Sequence, residues 1–126
     1  DDNYFHLEQR LDFEGLKITS LKDNVIMKAG DLAIVHGHTI MRGAFSPVSA
    51  ARSAFMKSFC NLMIGHTHQI GTYESLDIYH NVMSTVYTTG CLSTTSPSYD
   101  PHTIKHKNGF AHLVINSGKT EVNNYA

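Results

Sequence analysis

Two continuous apolar runs, each followed by a pair of histidines, dominate the pattern of hydrophobic and polar positions along this chain. Residues 32–35 read LAIV and residues 61–64 read NLMI, and both runs have the length of a strand. A strand that is apolar at successive positions is typical of a sheet covered on both faces, as in α/β proteins. The two runs therefore predict two buried, neighbouring strands.

The segment between the two runs predicts a helix. Ser46 suits the N-cap position and Pro47 the first helical position, and the helix is expected to extend to about residue 59. Its apolar residues recur at helical spacing, at Val48, Ala51, Phe55 and Phe59. A strand, a helix and a second strand form a βαβ unit, which makes the two strands parallel and brings their carboxyl ends to the same edge of the sheet.

Shorter elements flank this unit on both sides. Before it, residues 3–14 predict a helix that ends at Gly15, and residues 16–19 and 25–28 predict short strands. After Gly71, the predicted elements are antiparallel strands, at 72–79, 81–88, 109–115 and 120–123, with a hairpin turn at 116–119. Residues 90–107 predict a long loop of the kind that covers a site. The fold class is α/β, or an α+β sandwich, with one βαβ unit followed by antiparallel strands.

Composition and charge are those of an ordinary globular unit. The chain has 126 residues, of which 41% are hydrophobic and 17% charged, so residues 1–126 are expected to form a single unit. The formal net charge of −1 provides no basic surface for non-specific nucleic-acid binding. No apolar run approaches the ~20 residues of a membrane span, and the start has no signal pattern, which predicts a cytoplasmic protein without a membrane partner. Cys60 and Cys91 form no CxxC pair and are predicted to be small buried residues.

Histidine is the unusual feature of the composition. Of nine histidines, four form two HxH pairs, His36 with His38 and His66 with His68, at matched positions after the two apolar runs. On an extended backbone the side chains of each pair point to the same face about 7 Å apart, which suits two metal ions better than one. Imidazole binds several transition metals, so Mn, Zn, Fe or Ni are all candidates. The pattern predicts a dinuclear site at the carboxyl edge of the sheet.

Carboxylates do not complete this site in the sequence. Asp31 begins the strand that His36 ends, about 15 Å away at the rise of a strand, and is predicted to be a turn residue. Glu74 and Asp77 lie on the next strand and are expected on a solvated face. A dinuclear centre normally needs a bridging carboxylate, and none is evident in this chain.

The segments GDLAIVHGH, NLMIGHTHQIG and TTGCLS, spanning residues 30–93, resemble the C-terminal half of the calcineurin-like metallophosphoesterase domain. The resemblance implies an αββα sandwich with a dinuclear metal centre at one end. The family's upstream motifs, DxH, GDxxD and GNH(D/E), are absent from residues 1–31. The chain is therefore interpreted as the C-terminal half of such a domain, with the N-terminal half missing.

The resemblance also implies roles for individual residues. His36 and His66 correspond to ligands of the second ion, and His68 corresponds to a ligand of the first. His38 has no fixed role in the family; it either reaches substrate as a catalytic residue or is a hydrogen-bonded polar residue. The implied activity is metal-dependent hydrolysis of a phosphoester, by a phosphatase or a phosphodiesterase, with nucleotides and nucleic acids among the candidate substrates. The full-length protein would be the enzyme, and this chain alone is expected to be inactive.

Two alternative interpretations explain part of the same pattern. The first is a non-catalytic metal-binding or protein-interaction module on the same fold; open strand edges and the apolar face of Val48, Phe55 and Phe59 predict self-association or association with the missing half. The second is a cupin, because the spacing from Gly30 to the first HxH pair fits the start of its metal motif. A cupin requires a Glu soon after that pair, and residues 39–43 contain none.

Overall fold

The computed structural model describes residues 11–22, 24–43, 48–93 and 106–126. These residues form a mixed α+β fold in which a five-stranded sheet carries one helix and a two-stranded sheet lies apart from it. The elements are β1 (Met27–Ala29), β2 (Leu32–Val35), α1 (Ala50–Ser58), β3 (Leu62–Ile64), β4 (Gly71–Asp77), β5 (Val82–Thr88), β6 (Phe110–Asn116) and β7 (Lys119–Tyr125). The order in the larger sheet is β1-β2-β3-β5-β4. The described part of the chain contains no closed barrel, so the cupin reading has no support.

The predicted βαβ unit is confirmed. Strands β2 and β3 are parallel, with Ala33 opposite Leu62 and Val35 opposite Ile64. Strand β3 also pairs in parallel with β5, so it is central in the sheet and all three of its residues are buried. The uninterrupted apolar run before GHTH is explained by this position, because both faces of a central strand are covered.

Helix α1 begins later than predicted. The Ser49 side chain accepts a hydrogen bond from the Arg52 backbone N–H, so Ser49 is the N-cap. The predicted cap at Ser46 and Pro47 lies outside the described residues. At the other end, Phe59 has a left-handed backbone (φ 52°) and its N–H donates to the Phe55 carbonyl, which ends the helix.

The helix packs on the sheet mainly through small side chains. Ala50, Ala51, Ala54 and Phe55 are buried against a sheet face that includes Leu62, Ile64 and Val86. The predicted apolar face of the helix is half wrong, because Val48 is 97% exposed and Phe59 is 66% exposed. Val48 precedes the first turn and Phe59 follows the last one, so neither shares the buried stripe. No helix within the described residues is long and apolar enough to cross a membrane.

The segments before β1 differ from the prediction. Residues 1–10, and with them most of the helix predicted at 3–14, lie outside the described residues, while residues 11–17 form turns. The strand predicted at 16–19 does not form, because the N–H groups of Leu16 and Ile18 donate to the carbonyls of Asp12 and Phe13 instead of to a neighbouring strand. Strand β1 is antiparallel to β2, and it begins two residues later and ends one residue later than the strand predicted at 25–28.

The antiparallel strands predicted for the second half are confirmed. Strands β4 and β5 pair along their whole length, and β6 and β7 form a hairpin. Ser117 (φ 50°) and Gly118 (φ 78°) occupy its turn, and two successive positive φ angles are those of the two-residue hairpin turns that match strand twist. Of the predicted loop at 90–107, residues 94–105 lie outside the described part of the chain.

The two cysteines have different surroundings. Cys91 is buried, as predicted, whereas Cys60 is exposed. Cys60 directly follows the left-handed Phe59, in the short connection between α1 and β3. This connection carries its side chain away from the core, so the prediction of a buried Cys60 is wrong.

Asp31 links the β6–β7 hairpin to the larger sheet. Its Oδ1 accepts a 2.8 Å hydrogen bond from the Thr120 N–H, and its Oδ2 lies 3.5 Å from the Asn61 side-chain nitrogen. The Thr120 hydroxyl also donates to the Ala29 carbonyl. Asp31 is thus a turn residue, as predicted, and it connects segments that are distant in the sequence.

We expect Asp31→Ala to lower the free energy of unfolding by about 1–2 kcal/mol, because it leaves the Thr120 N–H without its acceptor. Asp31→Asn keeps an acceptor oxygen and should cost less. Urea unfolding followed by circular dichroism measures both. Glu121→Ala, which removes an exposed carboxylate from the same hairpin, is the control, and an Asp31→Ala stability equal to that of the control would contradict this role.

Candidate metal centre

The carboxyl ends of β2 and β3 are joined by backbone hydrogen bonds. His36 directly follows β2, and its carbonyl accepts from the Gly65 N–H (3.2 Å) and from the His66 N–H (2.9 Å). The two histidine-containing loops therefore begin from one fixed point. This arrangement follows from the parallel register, since both strands end at the same edge.

Three imidazoles meet at this edge, and we call His36, His38 and His66 the His36 cluster. The ring centroids of His36 and His66 are 4.8 Å apart, those of His36 and His38 are 5.1 Å apart, and those of His38 and His66 are 6.3 Å apart. The Nδ1 atoms of His36 and His38 are 3.0 Å apart. Two imidazole nitrogens on one tetrahedral zinc ion are about 3.3 Å apart for bonds of ~2.05 Å. The spacing suits a shared cation, and it also suits an N–H···N hydrogen bond in one tautomer.

The backbone between His36 and His38 is curled, so the prediction of two rings about 7 Å apart on an extended strand is wrong. Gly37 has φ +102°, a region that side-chain-bearing residues rarely adopt. A Cβ at Gly37 would also lie 2.9 Å from the Ile64 Cβ. Glycine is required here both by the curl and by close packing on β3, and the curl is what brings the two rings together.

The GHTH segment is a turn and not an extended strand. The His68 N–H donates to the Gly65 carbonyl (3.1 Å), and His68 itself has φ 53°. As a result the two histidines have different ring neighbours. His66 belongs to the His36 cluster, whereas the His68 ring lies 4.9 Å from that of His106. The assignment of His66 and His68 to different ions agrees with this geometry and stays a prediction.

His106 is the residue of this site that the sequence reasoning missed. It lies in the predicted loop at 90–107, follows no apolar run and has no HxH partner. Its Nδ1 is buried without a hydrogen-bond partner, and the neighbouring Lys107 N–H donates to the His68 carbonyl (2.9 Å). The only sequence signal was the high histidine count within a segment expected to cover the site.

A backbone clip holds His106 in this position. The Cys91 N–H donates to the Lys107 carbonyl (2.9 Å), and the Asn108 side chain donates to the Cys91 carbonyl (3.2 Å). Gly90 allows this approach, because a Cβ there would lie 2.6 Å from the Lys107 carbonyl oxygen. The described ends of the loop are therefore fixed against each other beside the site.

Two imidazoles at this edge have lowered pKa values. Partial burial lowers the pKa of His66, although the residue as a whole is exposed, with smaller contributions from the neighbouring rings of His36, His38 and His68. It also lowers the pKa of His68, followed by the effects of His106 and His36. The neutral imidazole is the form whose nitrogen lone pair binds a metal, so at neutral pH these rings are ready to act as ligands.

Asp31, Glu74 and Asp77 provide no ligand at this edge of the sheet. Asp31 is bonded to Thr120, and Glu74 is an exposed residue of β4. Asp77 ends β4 at the opposite end from Gly71, where its Oδ2 lies 2.7 Å from the His80 Nδ1. The His80 hydrogen bonds lower the pKa of Asp77.

The ligand set in the described residues is therefore partial. No three His, Cys, Asp or Glu side chains in this part of the chain are arranged to hold a metal ion together. The His36 cluster offers two close nitrogens and a third ring nearby, which is less than a complete coordination sphere. Neutral imidazole donors fit a divalent transition-metal ion chemically, and the remaining ligands would have to come from elsewhere.

Comparison with models of known protein families gives no match for this chain, and comparison with curated proteins gives no match either. The likeness to calcineurin-like metallophosphoesterases thus depends on the motifs in the sequence. The mixed α+β fold is established, whereas the αββα sandwich stays a prediction.

The stability of the metal-free protein should depend on the histidines of this site. Because folding lowers the pKa of His66 and His68 below the ordinary value near 6.5, the unfolded chain binds more protons as the pH falls through that value. The free energy of unfolding should therefore be fully present above about pH 7 and decrease as the pH falls from there towards the lowered pKa values. Urea unfolding in EDTA, measured from about pH 7.5 to 5.5, tests this.

The variant His66→Gln/His68→Gln should show a shallower pH dependence of the unfolding free energy than the wild type. His112→Gln, which replaces an exposed histidine of β6, serves as the control. If the unfolding free energy of the double variant depended on pH as steeply as that of the wild type, His66 and His68 would not be the cause of the pH dependence.

Proposed function

We propose that this chain is the C-terminal part of a calcineurin-like metallophosphoesterase, a cytoplasmic phosphatase or phosphodiesterase, in which His36, His66 and His68 bind divalent metal ions. The observation that carries the proposal is the convergence of histidines at the carboxyl edge of β2 and β3, with the His36 and His66 rings 4.8 Å apart. Folding does not require histidines at equivalent positions after the two parallel strands. Their recurrence at these positions is expected of a functional site. The substrate class is a phosphoester, which includes nucleotides and nucleic acids.

Divalent ions bound here would supply Lewis-acid activation of the phosphoryl group and of water. The residues of this chain hold and orient those ions. The lowered pKa values of His66 and His68 favour the neutral imidazole, the form that binds a metal ion. The parallel register and the shared His36 carbonyl fix the ligand positions before any metal binds, which reduces the cost of ordering the site.

The structure favours one of the two roles that the sequence left open for His38. Its Nδ1 lies 3.0 Å from the His36 Nδ1, close enough to orient that ring by a hydrogen bond or to share its cation. This contact favours the hydrogen-bonded role over a direct catalytic one. In the proposed enzyme His38 orients the His36 imidazole, and contact with substrate is the second option.

The proposal requires further ligands. Since Asp31 and Asp77 have partners away from the imidazoles of the site and the upstream motifs are absent from residues 1–31, the proposed bridging carboxylate would come from outside the described residues. The chain alone is then expected to bind metal incompletely and to be inactive.

A second candidate is the non-catalytic interaction module. Exposed apolar side chains favour it, since Leu16 is 65% exposed, Ile26 62% and Phe59 66%. A groove of about 470 Å³ lies between residues 19–22 and 24–25 and the strands β2 and β3. It is lined by apolar residues of β2 and β3 and by His36. Apolar surface of this kind is typical of a protein interface.

Activity decides between the two candidates. In the full-length protein, His66→Ala/His68→Ala should lower kcat for a chromogenic phosphodiester by at least ~100-fold, because it removes ligands of the proposed centre. Metal content by mass spectrometry should fall in parallel. His112→Ala is the matched control, and phosphodiesterase activity that survives the double substitution would sink the enzyme proposal.

The oligomeric state of the chain tests whether its exposed apolar surface is an interface. We expect the chain expressed alone to elute from size-exclusion chromatography as oligomers, and Phe59→Asn to shift it towards monomer. Asparagine tolerates the left-handed backbone of this position, so the change removes apolar surface without adding strain. A wild-type chain that is already a cooperatively melting monomer would count against an exposed interface.

A further inference from the structure

The geometry of His68 and His106 resembles that of two ligands on one ion. Their ring centroids are 4.9 Å apart with an interplanar angle of 70°. Two imidazoles on one tetrahedral ion have centroids about 5 Å apart, given metal–nitrogen bonds of ~2.05 Å. The rings of His36 and His66 have nearly the same spacing, 4.8 Å, and the two pairs have no ring in common.

The Nδ1 of His106 lacks a partner although it is buried. A buried nitrogen without a hydrogen bond is costly, and in a native protein such a group calls for an explanation, such as a bound water or ion. A neutral imidazole with a free lone pair is the form that a cation would stabilise.

The surroundings of His106 show the same deficit. Among the described residues, the buried side-chain atoms without a partner also include the hydroxyls of Thr67 and Thr89. Thr67 is adjacent to His68 in the chain, and Thr89 directly follows β5 at the carboxyl edge of the sheet. Three of these atoms thus belong to residues at or beside this edge, where a hydrated ion would supply the missing contacts, and the others are the Ser58 hydroxyl and the Asn124 side-chain oxygen.

The backbone holds the two histidines in place independently of any ion. The Lys107 N–H donates to the His68 carbonyl. The hydrogen bond between the Cys91 N–H and the Lys107 carbonyl fixes the same segment of the loop. A pair of rings held in this way binds a cation without the cost of ordering the ligands first.

From these observations we propose that His68 and His106 bind one divalent cation together, at a position separate from the cation of His36 and His66. The proposal deepens the metal centre of the proposed function, on which it rests, and assigns His106 as a ligand. Two imidazoles leave several coordination positions for water or for ligands outside the described residues. The proposal therefore concerns metal binding and needs no phosphoesterase activity for its test.

Cobalt titration of the metal-free, full-length protein is the first test, with visible absorption as the readout. The wild type should bind two Co²⁺ ions. His106→Gln should weaken one of them by at least ~10-fold and leave the other unchanged, while His66→Gln should weaken the other one. His112→Gln, with its exposed ring on β6, should bind as the wild type does.

Each outcome has a distinct meaning. Two unchanged Co²⁺ affinities in His106→Gln overturn the assignment of His106 and leave the proposed function intact. Weakening of the same ion by His106→Gln and His66→Gln overturns the separation into two positions. A wild type that binds no Co²⁺ overturns both this proposal and the metal centre of the proposed function.

A second measurement avoids substitutions, in case His106→Gln does not fold. Nitrogen NMR of the wild type labelled at histidine should show a ring nitrogen of His106 shifting on addition of Zn²⁺, together with one of His68. A His106 signal that does not move while that of His68 does would contradict shared binding.

Discussion

The carbonyl of His36 is the contact on which the arrangement of the site depends. It accepts hydrogen bonds from two successive N–H groups at the start of the GHTH turn, directly beyond the parallel pairing of β2 and β3. The pairing cannot slip easily, because a shift by one residue would move Leu62 and Ile64 away from the sheet face on which α1 packs. The apolar register of the two strands therefore also sets which histidines meet. The register of β2 and β3 thus determines both the packing of the core and the positions of the histidines.

The sequence predicted the strands, the crossover helix and the edge at which the histidines gather. These follow from apolar periodicity and from the short distance between matched runs, both of which are local properties. It did not predict the direction of the rings. The rule that residues two apart share a face holds for extended backbone only, and Gly37 (φ +102°) and His68 (φ 53°) both leave it. His106 was beyond sequence reasoning because its position depends on a clip between distant segments.

The chemistry of the clustered rings supports a cation over a purely structural role. Protonated imidazoles at centroid distances of 4.8 to 5.1 Å would repel one another. Burial acts in the same direction by lowering the pKa values of His66 and His68. In the proposed centre, a divalent ion would use the nitrogen lone pairs of these neutral rings.

The incomplete site and the exposed apolar surface have a common explanation in the proposed enzyme. The groove of about 470 Å³ that is lined by apolar residues of β2 and β3 is also lined by His36, Gly65 and Thr89. A segment that covered this groove would thus bury the apolar side chains and, at the same end, lie against the loops that carry the imidazoles. The missing carboxylates would then arrive on the segment that completes the core. Under this view the interaction surface and the metal centre are two parts of one interface, and the chain acquires its stability and its ligands in the same step.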